Sequence, residues 1–300
     1  MQSPTISIIM SVYNPQNPKR LRRAVRSLIN QTFTDWELLL YDDGSCEQAA
    51  QRIRAAANMD ERILYIRSCR NRGLAYALNV LTRCACGAFV ARMDDDDIAL
   101  PTRLAVQYAF LCRHPQYAWA GSNAELRDEK GVWGLLTMPM APSRRDFLFN
   151  SPYIHPSVMF RRDVLLRCGG YQTGPAFSGC EDYELFMRLH RQGFRGYNLQ
   201  QPLLQYFEDY QSHKRRTYTR RIREMKVRYH GFRSLGFSKA ESLPYVAKPL
   251  LIGALPRAAH LALRKHWKRK KEAPHDSFTK KPLPPSAAGR APAGRRRASG

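Results

Sequence analysis

Four consecutive carboxylates, Asp94 to Asp97 in "FVARMDDDDIALP", stand in a chain of 300 residues whose formal net charge is +24. Adjacent like charges repel, so the run demands either full solvation or a cation. A hard ion such as Mg²⁺ or Mn²⁺ takes oxygen ligands, commonly one or two carboxylates with waters and phosphate oxygens. A tight Asp cluster therefore suits a metal-bound diphosphate. A calcium loop of the EF-hand type fits badly: counted from Asp94, Ile98 takes a ligand position, Ala99 the glycine position and Ala105 the place of the bidentate Glu. The bland alternative is a solvated acidic turn facing the N-terminus of the helix that follows Pro101.

Two further acidic stretches carry chemistry. In "WELLLYDDGS", Asp42 and Asp43 follow an apolar run; taken alone, they read best as a strand ending in an Asp-Gly turn. In "FSGCEDYELFMRLHRQG", Ser178 and Glu181 have the spacing of a capping box, and Asp182 is left to project from the helix mouth, where a general base acts.

These residues need elements to hold them. "ISIIMSV" (6–12) is a continuous β-branched apolar run, the mark of a strand buried on both faces. A helix follows with Leu21, Val25, Leu28 and Ile29 at helical spacing and Pro18 near its start. The strands "WELLLYDD", "RILYIR" and "GAFVARM" then alternate with the helices "CEQAAQRIRAAAN" and "GLAYALNVLTRC". This βαβαβαβ rhythm predicts a parallel sheet covered by helices, with ligands outside the carboxyl ends of its strands. Both Asp42-Asp43 and Asp94 to Asp97 fall at such ends. A helix over 101–113 and a strand at "YAWAGS" come next, and from about residue 130 the pattern becomes mixed α+β.

The positive charge is uneven. Residues 213–300 hold 24 Lys/Arg against 4 Asp/Glu, whereas residues 1–212 hold 25 against 21, so the body is nearly neutral and the tail is basic. Seven scattered cysteines show neither zinc-ribbon spacing nor a secreted disulfide framework and read as reduced thiols in a cytosolic protein. The apolar run at the amino terminus is too short for a signal peptide, and no stretch is long and uncharged enough to span a membrane. After Pro274 the Pro, Ala, Gly and Arg content predicts disorder. "VAKPLLIGALPRAAHLALRKHWKRKK" (246–271) joins apolar residues to a dense basic run and is expected to lie on an anionic membrane surface, at the inner face of the cytoplasmic membrane.

The stretches "ISIIMSVYN", "SLINQTFTDWELLLYDDGS", "NRGLAYALN", "ARMDDDDIALPTRL", "HPSVMFRR", "GGY" and "EDYELFMRL", in this order, resemble the family 2 glycosyltransferases. These are inverting enzymes with the GT-A fold that move a sugar from a nucleotide diphosphate to an acceptor. The resemblance covers about residues 5 to 210, and its joint occurrence is specific although each motif alone is weak. It implies a Rossmann-like, mostly parallel sheet flanked by helices. Residues 1–125 would be the nucleotide-sugar half, 126–212 a mixed α+β acceptor half of the same domain, 213–273 a basic helical extension and 274–300 a disordered tail.

The acidic run then looks like the family's DxDD signature, written as Asp94, Asp96 and Asp97 with Asp95 at the variable position. By the resemblance, Ser11, Val12 and Tyr13 with Asp42 or Asp43 would hold uracil and ribose, and Arg72 in "NRG" would help at the nucleotide. Asp94, with Asp95 beside it, would serve the ribose side, and Asp96 would bind the Mn²⁺ or Mg²⁺ that bridges the phosphates. Asp182 would take the proton of the acceptor hydroxyl, with Glu181 and His155 on the acceptor or phosphate side. His213 is a candidate phosphate or metal contact, since "QYFEDYQSHKRRTY" departs from the Arg and His that many relatives carry there. The donor is expected to be a UDP-sugar and the acceptor a glycan or lipid-linked sugar of a bacterial surface polysaccharide.

Two rivals belong to other classes. A nucleic-acid-binding protein would explain the charge, but the excess sits in the tail and no nucleic-acid recognition motif appears, so no specific nucleic acid is expected. A metal-dependent nucleotidyltransferase would also present Asp clusters, but it wants a Gly-rich, Lys-bearing first loop, and "SVYNPQNPKR" lacks the glycines.

Overall fold

A computed structural model describes residues 3–208 and 218–254. The chain opens as β1 (Ile6–Val12), α1 (Pro18–Ile29), β2 (Trp36–Asp42), α2 (Glu47–Ala57), β3 (Ile63–Arg67), α3 (Leu74–Cys84) and β4 (Phe89–Arg92). It continues through β5 (Ile98–Ala99), α4 (Arg103–Arg113), β6 (Trp119–Asp128), β7 (Gly131–Leu136), β8 (Met159–Arg161) and α5 (Arg162–Arg167). The last described elements are α6 (Glu181–Arg191), β9 (Gly196–Phe207), α7 (Tyr218–Ser234) and α8 (Lys239–Ala254).

Among the described residues one sheet runs in the order β3-β2-β1-β4-β8-β6-β9-β5, with β7 beside β6. β1, β2, β3 and β4 are mutually parallel, so their carboxyl ends share one edge. β8 then pairs antiparallel with β4, and β6 antiparallel with β8, which gives the mixed second half. The parallel and the mixed strands thus form one sheet, as the expected mostly parallel α/β fold requires.

Burial alternates as the apolar runs require. Ile8, Met10, Leu38 and Leu40 pack under α1, α2 and α4, whereas Ile9, Leu39, Tyr41 and Val90 face α3 and α6. α1 starts where Asn17 accepts the Lys19 backbone N–H at 3.0 Å, with Pro18 as its first residue. The basic helices are part of this body: Val227 and Phe232 of α7 and Val246 of α8 join the core on the α6 side. Arg228, 2% exposed, ties α7 to the carbonyls of Leu148 and Phe149. The compact unit extends to Ala254. No helix among the described residues is long and apolar enough to cross a membrane.

Candidate active site

Going from β1 the chain moves outward through β2 and β3, then returns to the other side of β1 as β4. The strand order reverses between β1 and β4, and the loops leaving them must diverge and open a crevice. A cleft of about 500 Å³ lies there, lined by Tyr13 to Asn17 and Arg20 on one side and by Asp95 and Asp96 on the other. Tyr13 is 52% exposed and offers its ring to this space. Asn14 holds the loop with φ at 44° and cross-links it to the next: it accepts from Cys46 N (3.0 Å) and donates its own N–H to Ser45 (2.9 Å).

The four aspartates differ in role. One carboxylate oxygen from each of Asp94, Asp96 and Asp97 lies within 4.8 Å of the others. Asp97 is fully buried: its Oδ1 accepts the Phe207 N–H at 2.8 Å, fastening the loop to the end of β9, while its Oδ2 has no hydrogen-bond partner. A buried, unmatched carboxylate oxygen beside two others is costly unless a cation completes it. This donor set of hard oxygens fits a divalent metal. Burial, then the charge of Asp94, pushes Asp95 up to about 6; burial with Asp94 and Asp95 raises Asp96, and burial with Asp94 and Asp96 raises Asp97 well above the usual range. Arg103, itself buried, braces the strand end from below through the Arg92 carbonyl at 2.7 Å.

Asp42 and Asp43 stand at the end of β2, but both are sealed in. Asp42 accepts from Ser45 N (2.8 Å) and the Tyr65 hydroxyl (2.8 Å). Asp43 accepts from Asn71 Nδ2, Arg72 N and Gly73 N at 2.8 to 3.0 Å, so it shapes the "NRG" turn. Gly44 is required between these loops: it has φ +73°, and a Cβ there would lie 2.3 Å from the Arg70 carbonyl carbon. Arg72 is exposed and stacks on Tyr76, with its guanidinium 3.7 Å from the ring centroid. Val12 is buried and Ser11 partly so; neither lines the cleft, where Tyr13 represents that stretch.

On the other face, Asp182 sits half-buried in the first turn of α6. Burial, then the neighbouring charge of Glu181, raises its carboxyl above the ordinary value, against the Tyr183 backbone N–H and the Arg92 charge. A carboxylate tuned upward in this way is a better proton acceptor near neutral pH. The expected capping box does not form. Cys180 is the residue that caps α6, without a side-chain hydrogen bond, and Ser178 lies two residues too early and is exposed. Glu181 is instead the first helical residue, half-buried beside the base. His155 is 7% exposed and shares a 2.8 Å hydrogen bond with the Tyr171 hydroxyl. Burial and the Arg92 charge push it well below its usual range, so it is a neutral, enclosed group. His213 lies outside the described residues.

Sequence reasoning passed over Arg92. It is 3% exposed and pairs through Nη2 with Asp94 at 2.5 Å. Burial opposes its charge, but Asp94 outweighs that penalty and keeps it protonated. The signal was present: an arginine inside the buried strand "FVARM" must have partners.

The family model for glycosyl transferase family 2 matches residues 7–169. The putative glycosyltransferase EpsE of Bacillus subtilis is 34% identical over 89% of this chain and 94% of its own length. The O-antigen biosynthesis glycosyltransferase WbnJ of Escherichia coli is 31% identical over 67% of this chain and 78% of its own. Among solved structures, S. aureus TarS 1-349 in complex with UDP-GlcNAc shares the fold, with a TM-score of 0.62 at 19% identity, covering 89% of this chain and 88% of that one. The mannosyltransferase PcManGT of Pyrobaculum calidifontis, in complex with GDP-Man and Mn²⁺, does so with a TM-score of 0.54 at 19% identity, covering 89% and 81%. Identity of this extent along nearly the whole chain, on a GT-A sheet, makes this protein a glycosyltransferase, a member of glycosyl transferase family 2.

Proposed function

We propose that the enzyme moves a sugar from a UDP-activated donor to a hydroxyl of a glycan or lipid-linked acceptor in surface-polysaccharide synthesis, with inversion at the anomeric carbon. The observation that carries this reading is the triad of Asp94, Asp96 and Asp97 within 4.8 Å, at the mouth of the nucleotide half, with Asp182 on the acceptor side. Support for UDP comes from the ligand of TarS, and support for a polysaccharide product from the name of WbnJ.

Asp94, Asp96 and Asp97 would hold Mn²⁺ or Mg²⁺, which when bound supplies Lewis-acid stabilisation of the diphosphate leaving group. Tyr13 offers its face to the base of the nucleotide, while Asp43 and Arg72 fix the turn beside it. Asp182 takes the acceptor proton as the new bond forms, and one base suffices for a single displacement. Ordered burial of Asp97 against Phe207 keeps the triad in register with the acceptor half, so the reacting groups need little rearrangement.

A panel of UDP-, GDP- and dTDP-sugars with Mn²⁺, read by thermal shift, tests the donor. The UDP series should raise the melting midpoint most, because binding to the native state adds stability in proportion to affinity. A larger shift with GDP- or dTDP-sugars would replace the donor reading, and pyrophosphate release in place of UDP would favour the nucleotidyltransferase.

The peripheral membrane reading concerns residues 246–271, of which those beyond Ala254 lie outside the described residues. On α8, Leu243 and Leu251 are each 64% exposed, whereas Lys248 turns inward and donates to the Phe149 carbonyl at 2.9 Å. Because Val246 belongs to the core, the informative comparison is between the full chain and a chain ending at Ala254. The full chain should co-sediment with phosphatidylglycerol vesicles at low salt and be partly released at high salt, while the shortened chain stays in the supernatant. Equal sedimentation of both would refute the tail's role.

A further inference from the structure

Arg92 is the last residue of β4, and strand periodicity fixes its direction. Phe89, Ala91 and Met93 belong to the core under α4, while Val90 belongs to the core under α3 and α6, so Arg92 shares the face of Val90. On that side lie His155, Tyr171 and the first turn of α6, and the charge of Arg92 acts on both of these side chains and on Asp97 and Asp182 as well as on its partner Asp94. Arg92 is therefore paired with one member of the carboxylate triad on the sheet face that also carries α6.

Its hydrogen-bond capacity is only partly used. Nη2 meets Asp94, but Nε and Nη1 are buried without an acceptor. A guanidinium presents its donors in a rigid fork, and a residue needed only to neutralise Asp94 would not require two further N–H groups held dry and unmatched. The reaction dictates what must come between the triad and Asp182. The diphosphate goes to the triad and the acceptor hydroxyl to the base, so the transferred sugar, whose hydroxyls are acceptors, occupies the interval.

We infer that Arg92 is a specificity-determining residue that grips the hydroxyls of the transferred sugar through Nε and Nη1 while Nη2 holds Asp94. The inference rests on the nucleotide-sugar reading above. A sugar lacking the matched hydroxyl would leave a buried donor unpaired, and such sites discriminate strongly.

Arg92→Lys tests it, because lysine keeps a cation for Asp94 but not the Nε and Nη1 donors. With UDP and Mn²⁺ the variant should bind within about threefold of wild type, whereas its affinity for the UDP-sugar that wild type binds best, among UDP-GlcNAc, UDP-Glc and UDP-Gal, should fall about 10- to 100-fold. Equal weakening toward UDP and UDP-sugar would make Arg92 a prop for Asp94 and overturn the inference, as would unchanged affinity for both. Should the variant fail to fold, wild type titrated with singly deoxygenated UDP-sugars gives the same reading. One position should cost a factor of about 10 or more, and a flat series overturns the inference. A wild-type protein that binds UDP but none of these sugars more tightly overturns it too, and one that binds no uridine nucleotide at all removes the donor reading beneath it.

Discussion

Asp96→Ala should reduce sugar transfer by about 10³ or more and abolish the dependence of UDP binding on Mn²⁺, because stabilisation of leaving-group charge by a bound metal is worth several kcal/mol. The fold should survive. Asp96 is one of three mutually repelling carboxylates, and removing it relieves Asp94 and Asp97, so the melting midpoint without metal should hold or rise. EDTA should reproduce the loss of activity in wild type. The pH dependence has a definite sign. Burial and neighbouring charge hold Asp95 near 6 and raise Asp96 and Asp97, so protons compete with the metal on the acid side. Mn²⁺ should therefore raise the wild-type melting midpoint more at pH 7 than at pH 5. Full activity in EDTA, or a fully active Asp96→Ala enzyme, would remove the metal from the mechanism.

The parallel half of the fold was legible because its strands are buried on both faces: "ISIIMSV" has few other uses, and Asp-rich ends after such strands mark one edge of a sheet. The antiparallel insertion of β8 between β4 and β6 was not, since a three-residue strand carries no periodicity. The site was legible as a set of types but not as a set of contacts. Asp42 and Asp43 sit at the expected edge, yet their oxygens are taken by the nearby Ser45 N–H and by Tyr65, Asn71, Arg72 and Gly73, which arrive from a later segment. The spacing of Ser178 and Glu181 promised a cap, but the turn through Gly179, at φ +81°, delays the helix to Glu181 and leaves Ser178 outside. The place of Arg92 in an apolar strand marks it as buried, but not which groups surround it. Its partners are Asp94 two residues on and side chains some 60 to 90 positions away, which only the sheet brings together.

Asp182→Asn should leave UDP binding intact and lower turnover by about 10² or more, the usual contribution of a general base. The stability of the variant separates this role from a structural one. Burial and Glu181 raise the Asp182 carboxyl, so the folded state holds its proton more tightly than the unfolded chain does. The stability linked to that carboxyl is complete below the unfolded-state value near 3.9 and is lost as pH rises through the raised folded value. At neutral pH the ionised carboxylate is thus a burden on the fold, and a neutral Asn should preserve or increase stability while activity falls. Ser178→Ala is the matched control: exposed and outside the cap, it should change stability by under about 0.5 kcal/mol and leave turnover alone. The same raised carboxyl should place the acid limb of kcat/KM in wild type above the ordinary aspartate range, with activity falling as pH drops through it, and Asn should erase that limb. An Asp182→Asn protein that loses stability at pH 7 while keeping its turnover would return the residue to a purely structural place at the mouth of α6.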